Sequence, residues 1–297
     1  MPIRAVRRQS SLAVRREQQI SPARRIWLCA DDYGLAPGVN RAIRDLIGRG
    51  RLNATSVMVV APSFTQEAAD ALSALSDGGN TLAIGLHVTL TAPHRPLTKD
   101  YAPLRNGAFL PLAATLGSAF ARRLQREQLV SEIAAQLRAF AAAFGRPPDF
   151  IDGHQHVHLF PLVCDAVLQA GKPAAPNAWM RQCGRLLPFN QKFSNPKALL
   201  LDVLSRRFRQ RAQALEVRTN PAFAGAYDFT SQEDFAKLFA RFLHRLPNGG
   251  LIMCHPGFVD AELEALDPLT TQREREYALF VGDAFPEMLA AQGVALA

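Results

Sequence analysis

Residues 25–34 read RIWLCADDYG, an apolar run that ends in two adjacent acids, Asp31 and Asp32. The run has the length and composition of a buried strand. Neighbouring side chains on a strand point to opposite faces, so both acids reach one cleft only where the strand gives way to a loop. Two carboxylates this close repel each other unless a metal or a shared proton relieves them. A lone pair of acids more often caps a helix and meets solvent. The rest of the chain has to decide between these readings.

Outward from this stretch, strand and helix patterns alternate. A helix over 36–50 is predicted by Val39, Ala42, Ile43, Leu46 and Ile47, with Gly48 and Gly50 at its end. Strands follow at 54–60 and 82–90, a helix between them at 63–75, and a Pro- and Leu-containing loop over 91–118. An amphipathic helix over 127–144 carries Leu129, Ile133, Leu137, Phe140 and Phe144 on its apolar side. Strands are then expected at 149–154, 177–181 and 250–257, with helices at 161–171, 196–216, 231–245 and, as one long element, 271–292. A short VALA segment finishes the chain. Six or seven such units predict one closed or nearly closed β/α barrel, with a doubly wound open sheet as the runner-up. No GxGxxG or GxxxxGK[ST] follows any strand, which argues against the common dinucleotide and P-loop sites.

The net charge of +8 over 297 residues is concentrated at one end. Residues 1–25 hold seven Arg and one Glu, leaving +2 for the remainder, so a nucleic-acid partner would rest on the tail alone and is not expected. Residues 1–24 are expected to be a disordered basic extension, and 25–297 the barrel domain. The tail lacks an apolar core for a secretory signal, and no segment is long and apolar enough to span a membrane. Cys29, Cys164, Cys183 and Cys254 form no CxxC pair, which fits a reducing cytoplasm. The basic cluster 205–218 has few aromatics and reads as a solvated helix face. Homo-oligomerisation is left open.

Polar residues interrupt the strands at their C-terminal ends: Asp31 and Asp32, His87, His154 and His255. In a β/α barrel those ends converge on one face. A carboxylate and two imidazoles are a normal ligand set for a catalytic metal; Zn²⁺ suits the imidazoles, and Mg²⁺, Mn²⁺, Fe²⁺ or Co²⁺ are also admitted. If Asp32 binds the metal, Asp31 is free to take a proton from an activated water. In HQHVH, His154 lies nearest the strand end and is expected to be a ligand. His156 and His158 would orient ligands or face the substrate, unless a turn after Gly153 breaks their regularity. A chelating His-x-His pair is the competing assignment.

ADDYGLAPGVNRAI, GLHVTLT, FGRPPDFIDGHQHVHLFP and, more weakly, FAGAYDF together resemble the YdjC-like carbohydrate deacetylases, from about residue 26 to the C-terminus. The resemblance implies an incomplete β/α barrel akin to the polysaccharide deacetylases, one divalent metal (Mg²⁺ or Zn²⁺), and hydrolysis of N-acetyl groups on amino sugars. It places metal on Asp32, His87 and His154, with Asp31 as base. Polysaccharide deacetylases use His-x-x-x-His, whereas Thr91 stands four residues after His87 here. By the same likeness Arg181 would orient the base and His255 would act as general acid. Phe223 and Tyr227 would stack on the sugar, or else pack loops onto the barrel. A metal-dependent phosphoesterase or glycosidase, and a silent sugar-binding barrel, are the alternatives.

Overall fold

The computed structural model describes residues 23–76, 81–185, 196–229 and 233–297. The expected extension over 1–24 falls almost wholly outside these residues.

Eight parallel strands occur among the described residues: β1 (Arg24–Tyr33), β2 (Ala54–Val57), β3 (Ala83–Val88), β4 (Phe150–Gly153), β5 (Trp179–Met180), β6 (Phe223–Ala224), β7 (Leu251–Cys254) and β8 (Val294–Leu296). The sheet runs β5-β4-β3-β2-β1-β7-β6, and β8 adds to the start of β1 at Arg24–Ile26. Bridges join the β5 and β6 ends of this order, so the sheet curls on itself and the doubly wound open sheet is excluded. Among the described residues closure is incomplete. Isolated bridges, Met180 with Thr219 and Arg185 with Phe223, span the seam between β5 and β6 where a full ladder would close the barrel. The chain is therefore an incomplete β/α barrel.

The helices are α1 (Pro37–Gly48), α2 (Gln66–Ser76), α3 (Leu112–Phe120), α4 (Arg126–Phe144), α5 (Val163–Ala174), α6 (Pro196–Ala214), α7 (Phe235–Leu243), α8 (Ala261–Leu266), α9 (Thr271–Val281) and α10 (Ala284–Ala291). Strands β2, β3, β4 and β7 are buried along their whole length, which is why they show no apolar–polar alternation. Helix α1 buries the five apolar positions its spacing predicted and starts with Pro37, whose missing N–H costs nothing in a first turn.

Two expectations need correction. The single helix over 271–292 is two, α9 and α10, broken at Gly282 and Asp283. Pro286 has no N–H to give back to the preceding turn, so it is accommodated only near a helix start. Strand β6 was not expected; two residues between Pro221 and Gly225 carry no periodic signal.

The end of the barrel at which the strands begin is filled by aromatic side chains. Trp179 stacks on Phe150 with ring centroids 4.5 Å apart, and Trp27 lies 6.2 Å from Trp179. Gly85 makes room for this layer, since a Cβ there would stand 2.4 Å from the Phe150 ring. The opposite end, where the strands finish, holds the polar residues. Helix α4 reaches across to that end through two buried polar groups. Glu132 accepts from the backbone N–H groups of Leu97 and Thr98 (3.1 and 2.9 Å), and Gln136 pairs with both backbone groups of Thr89 (3.0 and 2.8 Å). The loop after β3 is thereby fixed to the barrel, because buried amides and carboxylates are held by such bonds.

Candidate active site

The two adjacent acids reach one cavity by a backbone device. Asp32 has φ +71°, and the β1–β2 register shifts between Ala30 and Tyr33. This bulge turns Asp32 inward beside Asp31 instead of letting it alternate to the outer face. A non-glycine residue at positive φ is uncommon, and such strain concentrates at functional positions.

Around Asp32 the three residues expected to hold a metal come together. His154 Nδ1 stands 2.9 Å from Asp32 Oδ1 and His87 Nε2 stands 3.4 Å from the same oxygen. One ligand atom from each of the three residues lies within 4.8 Å of the others, and all three residues are buried. His87 Nδ1 donates to Asp152 Oδ1 at 2.6 Å, directly across the β3–β4 register, so its Nε2 is the nitrogen left for a ligand. A carboxylate behind a ligating histidine is the usual arrangement for fixing ring and tautomer. By its donor types and its supporting bonds, the set fits a divalent metal.

Asp31 is held separately. Arg181, buried to 1% exposure, donates to both of its oxygens at 2.6 and 2.7 Å, and Ser56 Oγ adds a bond of 3.2 Å. The same guanidinium pairs with Asp152 Oδ2 at 2.5 Å, donates to Cys29 Sγ at 2.9 Å and lies over the Phe150 ring. Cys29, Asp31 and Asp152 also converge closely enough to suggest a second metal cluster, but Arg181 already supplies the positive charge among them. Burial works to raise the Asp31 carboxyl, but the Arg181 charge and hydrogen bonds together with the charge of His87 outweigh it, so Asp31 sits well below the ordinary carboxylate range. Burial likewise opposes ionisation of Asp32, while Arg273 and His154 keep it ionised. For His87, burial disfavours the imidazolium, yet Asp152, Asp31 and Asp32 together carry its pKa up to about 10, so a cation on Nε2 would have to displace a proton.

The remaining sequence-predicted residues fall in different places. His154 to Leu159 form a 3-10 turn in which Gln155 and His156 have φ of +52° and +60°, so the alternate histidines do not line one face. His158 is fully buried and its Nε2–H donates to the Arg181 carbonyl at 2.9 Å; it supports the backbone of Arg181 and does not face a substrate. His156 is half-buried, 3.5 Å from Cys183 Sγ and edge-on to Phe223. Burial drives its pKa down to about 3. Phe223 is 2% exposed, so stacking on a sugar is corrected to packing within the core. Tyr227 packs among Phe229, Phe235 and Phe242 and donates to Glu276 Oε1 at 2.5 Å, as the loop-packing alternative expected. His255, half-buried, presents its backbone N–H to Glu276 Oε2 at 2.5 Å and its ring to Phe229. Burial lowers its imidazole pKa, against the opposing pull of Asp32 and Asp31.

Several site residues were not legible. Arg273, at the start of α9, donates to Asp32 Oδ2 and to Asp267 Oδ2, both at 2.7 Å. It is 241 residues from Asp32 in sequence and sits in QREREY, which reads as a solvated helix face. Asp152 carried a signal, an acid inside an apolar strand two residues before His154. Glu276, buried from the same α9, has its pKa pushed up to about 7 by burial. His94, in TAPHRP, lies 5% exposed with its ring edge-on to His154 at 6.0 Å, and burial takes its pKa down to about 4.

A family model described as YdjC-like protein matches residues 25–291. A chitooligosaccharide deacetylase of Yersinia pestis (strain Pestoides F) is 30% identical over 238 residues, covering 79% of this chain and 82% of the relative. That of Escherichia fergusonii is 28% identical over 234 residues, covering 78% and 81%. A solved structure from Enterococcus faecalis V583, described as a candidate cellobiose-phosphate cleavage protein, aligns with a TM-score of 0.73 at 23% identity. It covers 93% of this chain and 97% of its own, which shows a shared fold.

Proposed function

We infer, because this chain belongs to the YdjC-like family, that it is a carbohydrate deacetylase whose barrel, residues 25–297, removes the N-acetyl group of an amino sugar and releases acetate. The observation that carries this reading is the pairing of two differently held acids: Asp32 among His87 and His154, and Asp31 in the grip of Arg181. Separate environments give neighbouring carboxylates separate tasks.

A divalent cation held by Asp32, His87 and His154, Mg²⁺ or Zn²⁺ in this proposal, would polarise the acetamide carbonyl and acidify a water. Asp31 accepts that water's proton as the water oxygen bonds to the acetyl carbon. A carboxylate kept so firmly ionised is a weak base, so its contribution is position more than basicity, and Arg181 supplies the position. His255 gives a proton to the sugar nitrogen as the carbon–nitrogen bond breaks. Its resting imidazole is held toward neutrality, so the protonated form has to be gained during turnover with help from Asp31 and Asp32. Asp152 and Arg273 hold His87 and Asp32 in place from behind.

Four cysteines without disulfides accord with a reducing compartment. Among the described residues, no helix is long and apolar enough to cross a membrane.

The test is acetate release from N-acetylated chitooligosaccharides by protein stripped of metal and then resupplied. Release that depends on metal and vanishes in Asp32→Ala supports the reading. Asp31→Asn should abolish turnover while metal binding persists. Release of phosphate or of a cleaved sugar in place of acetate would overturn the assignment.

A further inference from the structure

Six of the seven histidines are buried or half-buried, and most of them have a polar partner for a ring nitrogen. His87 has Asp152, His154 has Asp32, His156 has Cys183 and His158 has the Arg181 carbonyl. His255, already assigned a proton-transfer role, has an unpartnered Nδ1. His94 is the other exception. Its ring makes no hydrogen bond among the described residues, and although the residue as a whole is 5% exposed, its ring nitrogens are not among the buried unpartnered atoms, so they lie where a ligand can reach them. A ring nitrogen without a protein partner but open to the cavity is free to bond a bound molecule.

The place of His94 is not accidental. It belongs to the loop that follows β3, seven residues after the ligand-set member His87. The anchors on α4 hold that loop on its way in, through Thr89, Leu97 and Thr98. The His94 carbonyl accepts from Phe109 N–H at 2.9 Å, which ties the residue to the far side of the same loop. With its backbone fixed on both sides, the ring stands edge-on to His154 at 6.0 Å centroid separation, on the margin of the candidate metal set. A neutral imidazole offers one donor and one acceptor, and a sugar hydroxyl offers the same pair in reverse.

We propose that His94 is a substrate-positioning residue, hydrogen-bonding the ring hydroxyl next to the acetamido group of the N-acetylated sugar. The proposal rests on the deacetylase reading and adds to it a contact that fixes which carbon carries the acetamide presented to the ligand set. The loop origin also gives the contact a specificity role, because a sugar with that hydroxyl removed or inverted leaves the imidazole unpaired.

The experiment measures kcat and KM for acetate release from diacetylchitobiose and from its analogue lacking the hydroxyl at the carbon beside the acetamide. It uses wild type, His94→Phe and His94→Gln, with metal content and melting temperature recorded for each. The expected result is a kcat/KM loss of roughly 10-fold or more in His94→Phe, partly restored in His94→Gln, with metal content unchanged. On the deoxy analogue the wild type and His94→Phe should be alike. Wild-type activity with an equal kcat/KM in His94→Phe, or an equal loss on both substrates, overturns the proposal and leaves the deacetylase reading intact. Absence of acetate release by the wild type overturns the reading, and this proposal with it.

Discussion

His87 and Asp152 face each other in register across β3 and β4, with Nδ1 and Oδ1 2.6 Å apart and both side chains almost wholly buried. The bond turns Nε2 of His87 toward Asp32. Asp152→Asn should weaken metal binding by roughly 10- to 100-fold, because an amide supports the ring without its charge. Calorimetric titration of the stripped protein with Zn²⁺ or Mg²⁺ checks this, and an unchanged affinity would show that the ring needs no such support.

Arg181 serves two carboxylates at once, so its replacement leaves Asp31 buried without its ion-pair partner and Asp152 with His87 alone. Arg181→Met should lower stability by about 3–5 kcal/mol, the range for breaking a buried ion pair. Arg181→Lys keeps the charge but not the two-pronged grip on Asp31 and should fold, with kcat reduced more than KM is raised. Urea denaturation and steady-state kinetics read the two effects separately.

Glu276 gives the fold a pH dependence that can be isolated. Its carboxyl titrates near 7 in the folded protein and near 4.5 when unfolded, with burial as the main cause. Below pH 4.5 both states hold the proton and this group adds no penalty. Between 4.5 and about 7 the unfolded chain releases it while the folded chain keeps it, so stability falls as pH rises, by about 3 kcal/mol at most. Glu276→Gln keeps an acceptor for Tyr227 and His255 and should flatten that fall. Unfolding free energies at pH 5 and pH 7.5, compared between the two proteins, provide the measurement.

Phe223 is core, not platform. Phe223→Ala should therefore cost about 3–5 kcal/mol in stability, as truncation of a buried aromatic does. The KM of whatever remains folded should stay close to wild type. A raised KM at full stability would return the residue to the sugar.

The sequence displayed what repeats along it. Apolar runs located β1, β3, β4 and β7, and polar residues at their ends located Asp31, Asp32, His87, His154 and His255. What it hid depends on packing between distant elements. Arg273 and Glu276 look like surface residues of a charged helix, and only the docking of α9 against the strand ends takes them out of water. His156 and His158 share a sequence parity that means something on a strand, and positive φ at Gln155 and His156 removes the strand. Strand β6 is too short for any periodicity to show.

The pairing of β8 with the start of β1 has a practical corollary. Ala297 N–H donates to the Ile26 carbonyl at 2.9 Å and Arg24 N–H to that of Gly293, also at 2.9 Å, so the end of the chain is pinned in parallel along the first residues of β1. Seven residues of extended strand, roughly 23 Å, separate the start of β1 from Asp31. The last strand of the chain thereby closes the pole of the barrel remote from the acids, and cutting 294–297 away would strip the start of β1 of its partner.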